Sequence, residues 1–308
     1  MTKATGCSNQ TDTLSCLRGL NITELQTKSP GFQWSPCIDN DILVAPLYQL
    51  YESRKFRQVP AIYGSTTDEG TKNVDKTVNS TSLDFYIRRN LGNITDAQLE
   101  ELKTTYPESL NEVTFSGAVL NATYPGAGNE WQRVAAMFGE VGIRCVACFQ
   151  SDMLAYAGNT QNWHYHYDVL DPRDQASGNR VYHTVELNAI WGPNNTDGAP
   201  PPSYYIPNEK GGNAGAVPVM QSYWISFILT LDPNTLRRKD LAGWEPWTLA
   251  TRRRLLFHNN GTMMESMTDA EKARCKVVMP WAKARNLFQL PRTTFPPFAN
   301  GTYPDPYQ

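Results

Sequence analysis

The stretch Val59-Pro-Ala-Ile-Tyr-Gly64-Ser-Thr-Thr-Asp68-Glu69-Gly70 constrains this chain most. Six largely apolar residues give way at once to small and polar ones, then to two acids and a glycine. A run of this length, closed by turn formers, predicts a buried strand that delivers a carboxylate on the loop at its C-terminal end. Open sheets of α/β proteins build their sites at that end of their strands. A second stretch answers it: Val181-Tyr-His183-Thr-Val-Glu186-Leu-Asn-Ala-Ile-Trp-Gly192. A loop-borne acid and a later loop-borne histidine are two thirds of an acyl-transfer triad, in which a carboxylate orients an imidazole that takes a proton from a serine hydroxyl.

The remaining patterns fit an α/β reading. Pro46 suits the first turn of a helix reaching about Arg54. The segment from Ser82 to about Gly158 is expected to be mostly helical. Thr95-Asp-Ala-Gln98 has the form of a capping box, and residues 129–157 form a longer helical region with breaks expected at Gly139 and Gly142. Trp163 to Leu170 reads as an aromatic-rich strand stopped by Asp171-Pro172. Residues 193–215, rich in Pro, Gly and Asn, read as a long surface loop. Pro218 opens a helix with Met220, Trp224, Phe227 and Leu231 toward the core. Beyond Trp244 an irregular tail is expected, with Arg252-Arg-Arg254 on a solvated helix face, before a last helix capped at Thr268.

Composition narrows the partners and the compartment. Hydrophobic residues make up 40% and charged residues 19%, as in an ordinary globular protein, and the formal charge of −2 argues against a nucleic-acid or membrane-surface partner. The longest apolar stretch, Tyr223 to Leu231, is too short to span a bilayer. Asn-X-Ser/Thr sequons begin at Asn9, Asn21, Asn79, Asn93, Asn121, Asn194, Asn260 and Asn300. Chance would give about three. With six cysteines, this excess points to a glycosylated protein of the secretory route, although Met1-Thr-Lys-Ala-Thr-Gly6 has no apolar leader core. Cys7 and Cys16 are close enough for a local disulfide.

Several residues admit a structural or a metal role. Glu186, three residues after His183, could touch that histidine, cap the following helix or form a His-X-X-Glu metal pair, but no third ligand is evident. His164 and His166 fall on one face of a strand, where simple packing is the commoner outcome. Cys145-Val-Ala-Cys148 has redox or zinc spacing without the second cysteine pair that zinc needs. Asp68 rivals Glu69 for the acid.

Four landmarks occur in order: Gly6-Cys7 with Ser15-Cys16-Leu-Arg18, Gly64-Ser-Thr-Thr-Asp-Glu69-Gly70, His183-Thr-Val-Glu186 through Trp191-Gly192, and Tyr223-Trp224 with Asp232-Pro233. In this the chain resembles the type-B carboxylesterases, the group that includes fungal lipases and cholinesterases. The resemblance implies an α/β-hydrolase fold with a mixed, mostly parallel sheet flanked by helices. It implies Glu69 as triad acid, His183 as triad base, a lipid or small-molecule ester as substrate, and no metal or organic cofactor. It also implies that Cys145 or Cys148 pairs with Cys275; Cys37 is then free or bonded to the other. The match starts partway through the family pattern. No Gly-X-Ser-X-Gly nucleophile elbow occurs in these 308 residues. The expectation is therefore that residues 1–308 are the C-terminal part of a secreted ester hydrolase, inactive without the N-terminal part that holds the serine. The alternatives are a non-catalytic binding or adhesion glycoprotein and one chain of a two-chain esterase.

Overall fold

The computed structural model describes residues 1–28, 38–92, 94–120, 124–206 and 212–287. These divide into two compact units, residues 1–45 and 46 onward. The first holds two short helices, Thr13–Gly19 and Ile22–Thr27, each capped by a side chain (Asp12 and Asn21). The Cys7–Cys16 disulfide, with Cα atoms 5.7 Å apart, closes it.

The second unit is an α/β layer structure. Its sheet runs in the order β1 (Ala61–Thr66), β2 (Asn162–Asp168), β3 (Arg253–His258), β4 (Gly261–Ser266). The first three strands are parallel, and β4 returns antiparallel to β3. The expected acid strand begins two residues later than the apolar run suggests, at Ala61, since Pro60 has no N–H to give a ladder. The main helices are α1 (Leu83–Leu91), α2 (Asp96–Thr105), α3 (Trp131–Tyr156), α4 (Ala216–Thr230) and α5 (Asp269–Leu287). Thr95 and Gln98 form the expected capping box, and Thr268 with Glu271 makes the same reciprocal pair ahead of α5.

Alternation along β2 sorts the two faces. Trp163 and Tyr167, with Leu255 and Phe257 of β3, enter an apolar cluster shared with Met220 and Tyr223 of α4. His164 and His166 point the other way, toward α3, whose Cys148 and Ser151 lie against His164. A second apolar cluster joins α1, α2, α3 and α5 on that side. Helix α3 is long and apolar enough to pass for a membrane span, but 67% of that window is buried in the fold, as befits a core helix. The Cys145–Cys275 disulfide ties α3 to α5, while Cys148 is a free, buried thiol. Closing a loop of this size stabilises by roughly 4–5 kcal/mol. Cys37 lies outside the described residues.

Three expectations are corrected. Gly139 and Gly142 do not break the helix: α3 continues through a wider π-turn at Glu140–Arg144. Leu231 does not face the core but ends α4 in the left-handed region, half exposed. The stretch after Trp244 is irregular only as far as Arg252, and Arg252-Arg-Arg254 is not a solvated helix face. It leads into the β3–β4 hairpin, where Arg252 and Arg254 are buried. Arg252 spans both oxygens of Asp152 on α3, and Arg254 meets Glu265 and Glu271. Buried guanidinium groups persist only with such partners. A triple arginine reads as surface until its acids, distant in sequence, are known. Within residues 193–215 the described parts include a turn of helix, Pro202–Tyr205, and a 3-10 turn, Asn213–Gly215.

Candidate active site

The acid loop leaves β1 at its C-terminal end and is fixed by main-chain contacts. Gly70 lies against the backbone of α3: a Cβ there would stand 1.9 Å from the Ala135 carbonyl oxygen. Gly139 answers from the helix, where a Cβ would come within 2.8 Å of the Gly70 nitrogen. Two glycines thus let loop and helix touch backbone to backbone. The sequence offered Gly139 as a breaker, but its function here is close approach.

A single bridge then brings the second loop alongside. Asp68 pairs in parallel with Tyr182. The Asp68 N–H donates to the Val181 carbonyl at 2.9 Å, the Val181 N–H donates to Asp68 Oδ2 at 3.1 Å, and Arg180 forms an ion pair with Asp68. The residues that follow the bridge on each side are Glu69 and His183. Their contact is the consequence: His183 Nδ1 lies 2.6 Å from Glu69 Oε2. The other carboxylate oxygen accepts the Thr66 N–H at 2.6 Å. Glu69 is 3% exposed, while the His183 side chain is 41% exposed.

This asymmetry orders the pair. A buried carboxylate accepting at Nδ1 sets the imidazole tautomer and leaves Nε2 as the other ring nitrogen. The Glu69 hydrogen bond raises the His183 pKa above its ordinary value; burial opposes this, and the charges of Glu69 and Glu186 add to it. A groove of about 760 Å³ opens beside His183, walled by Lys72, Tyr182, Thr184, Leu187 and the half-exposed Trp191. Tyr182 and Trp191 are the aromatic residues of this wall. A second, smaller cavity of about 290 Å³ lies behind the acid loop, between Glu69, His166, Arg144, Arg254 and Glu271.

The structure brings Glu69 and His183 together and assigns Asp68 to holding the two loops. Glu186 is buried and starts the short helix Leu187–Trp191. Among the described residues no three His, Cys, Asp or Glu side chains are placed to hold a metal. Three contributions were not assigned from the sequence: Arg180, Gly70 in its approach to α3, and Tyr165, whose hydroxyl donates to Glu186 at 3.1 Å. Arg180 had one signal, its place beside the histidine loop, but nothing linked it to residue 68. The sequons at Asn9, Asn21, Asn79, Asn194 and Asn260 are all exposed; Asn93, Asn121 and Asn300 lie outside the described residues.

Comparison with known proteins adds family to geometry. Lipase 1 of Geotrichum candidum is 24% identical over 85% of this chain and 45% of its own length. Secreted lipase 1 of Botryotinia fuckeliana is 27% identical over 79% of this chain and 41% of its own. The chain therefore spans about half the length, or less, of the curated relatives it matches. The crystal structure of Aspergillus niger EstA superposes with a TM-score of 0.75 at 26% identity, covering 93% of this chain and 54% of that one. Its fold is that of an α/β-hydrolase, with the same open, mostly parallel sheet between helices. The Carboxylesterase family profile matches residues 1–277, and the chain belongs to that family.

Proposed function

We propose that this chain is the acid- and base-bearing part of a serine carboxylic-ester hydrolase, with Glu69 as acid and His183 as base. The serine would come from sequence outside these 308 residues. The observation that carries the reading is the 2.6 Å contact between His183 Nδ1 and Glu69 Oε2, formed across 114 positions of chain.

The chemistry follows from that contact. A serine hydroxyl placed at Nε2 would pass its proton to His183 while its oxygen attacks the ester carbonyl. Glu69 stabilises the resulting imidazolium. The imidazolium then returns the proton to the departing alcohol, leaving an acyl-enzyme. Water repeats the sequence and releases the acid. The groove beside His183 is the place for the ester's alcohol or acyl portion. β1 supports the reading from another direction: it is an edge of the described sheet, and its outer ladder groups suit a further strand. Secretion and glycosylation belong to the same proposal. They are supported by two disulfides, by the exposed sequons, and by a relative described as a secreted lipase.

The test uses the chain alone and then completed. Purified residues 1–308 should not hydrolyse a simple aryl ester above background, because an oxyanion hole and nucleophile supply most of the rate. Joined to a segment carrying a Gly-X-Ser-X-Gly elbow, the protein should turn over, and His183→Ala should then remove that activity. Turnover by the chain alone that vanishes in Glu69→Ala would refute the division of labour.

A further inference from the structure

We propose that Glu186 is a positioning residue for the candidate base, a second carboxylate acting on His183 through space and anchored by Tyr165. This rests on the reading of His183 as base and adds a group to it.

The geometry is unusual for a carboxyl group. Glu186 is 7% exposed. One oxygen, Oε1, accepts the Tyr165 hydroxyl at 3.1 Å. The other, Oε2, is buried with no hydrogen-bond partner among the described residues. Leaving a carboxylate buried with one oxygen unpartnered is costly, even with its own main-chain N–H and the Tyr165 hydroxyl beside it. Glutamine would accept the same bond from Tyr165 and bury a neutral amide in place of a charge, so packing alone does not call for an acid here. An acid adds charge, and that charge falls on the Glu69–His183 pair: Glu186 and His183 act on one another electrostatically, as do Glu186 and Glu69.

The anchor is itself built. Tyr165 on β2 stands opposite Gly64 on β1. A Cβ at Gly64 would lie 2.2 Å from the Tyr165 ring, so the glycine makes room for the ring that reaches Glu186. The groups acting on Glu186 come from three elements: Glu69 on the acid loop, His183 on its own loop, and Tyr165 on β2. Glu186 in turn acts on Tyr167 of β2 and Tyr204 of the Pro202–Tyr205 helix. Burial first, then the Glu69 charge, push the Glu186 carboxyl up to about 7. It therefore gains its charge near neutrality, and that charge favours the protonated His183 imidazole.

The test needs no turnover. The His183 imidazole of the full chain, labelled with ¹⁵N and assigned by its loss in His183→Gln, is titrated by NMR. In Glu186→Gln the His183 midpoint should fall, with proton binding about threefold weaker or more, while the thermal midpoint of unfolding stays level or rises. Tyr165→Phe removes the hydroxyl that favours the ionised carboxylate, so it should lower the His183 midpoint as well. The double variant should fall no further than Glu186→Gln. An unchanged His183 midpoint in Glu186→Gln would overturn the proposal, as would strictly additive shifts or a collapse in stability. Should Glu186→Gln fail to fold, that failure counts as a structural role, and an unchanged midpoint in Tyr165→Phe would complete the refutation. Glu69→Gln serves as the control. If it moves His183 while Glu186→Gln does not, the tuning role fails and the proposed function stands. If neither moves it, both fail.

Discussion

Two histidines in this molecule hold a glutamate by Nδ1 at nearly the same distance, and they are pushed in opposite directions. His183 lies 2.6 Å from Glu69, and its pKa is raised, by the Glu69 hydrogen bond first. His166 lies 2.8 Å from Glu265, and its pKa is lowered to about 4, by burial first and then by the Arg254 and Arg144 charges. The contact is the same in kind; the surroundings differ. His183 is half exposed and has a second carboxylate, Glu186, in its field. His166 is buried between guanidinium groups. Its Nε2 sits 3.1 Å from Arg144 Nη2, so a neutral ring donating from Nδ1 and accepting at Nε2 satisfies both ends. Glu265 meanwhile compensates Arg254. Burial pushes its carboxyl up, but the His166 hydrogen bond and the Arg254 charge reverse that, to about 2. A histidine–glutamate pair is therefore not a base by virtue of its contact. It needs access on one side and no competing cation on the other.

The sharpest way to break the comparison is to remove each ring. In an esterase completed with its serine, His183→Ala should lower kcat by about a thousandfold or more, with little change in stability. A fall below about tenfold would remove His183 as the base. The next largest effect should come from the other pair's surroundings. Glu271→Ala strips a carboxylate shared by Arg144 and Arg254 and should cost about 3–5 kcal/mol in urea unfolding, because in the interior Arg144 loses its carboxylate and Arg254 keeps only Glu265. A loss under about 1 kcal/mol would mean that solvent reaches this cluster freely.

The pH dependence of stability should show opposite signs for the two rings. His166 has its folded pKa below its unfolded one. It favours folding fully above about pH 6.5, and that contribution, on the order of 3 kcal/mol, is lost as pH falls toward its folded value of about 4. Glu265 adds a further loss as pH falls from about 4.5 through its folded value of about 2. His183 runs the other way: its contribution is complete below about pH 6.5 and fades as pH rises through its raised folded pKa. Urea midpoints of His166→Gln and His183→Gln against pH should diverge from the parent on opposite sides of neutrality. Parallel curves would contradict the comparison. The smallest effect should be that of Asp68→Asn, which weakens the Arg180 ion pair while keeping the bridge to Tyr182. A cost of about 1–2 kcal/mol is expected, with the Glu69–His183 hydrogen bond preserved in the downfield proton NMR spectrum.

Local patterns specified much of this architecture. The turn-closed apolar run announced β1 and its acid loop, the Thr95 box announced α2, and the aromatic-rich run Trp163 to Leu170 announced a strand whose histidines share a face. Four short motifs in order singled out residues 69 and 183, which the fold brings into contact. Those signals work because strand, cap and loop preferences arise from a few consecutive residues. The choices between equivalents were not legible there. Cys145 and Cys148 stand three apart on one helix face, and only the position of α5 decides that Cys145 meets Cys275. Arg252 to Arg254 reads as a solvated run until the β3–β4 hairpin buries it against Asp152, Glu265 and Glu271. Gly139 reads as a helix breaker until Gly70 lies against it. Glu186 and Glu265 are both glutamates near a histidine, and their opposite electrostatic settings depend on which arginines, tyrosines and carboxylates the fold packs around them. Burial and charge act through space, and distances through space between residues far apart in the chain exist only once the tertiary structure has formed.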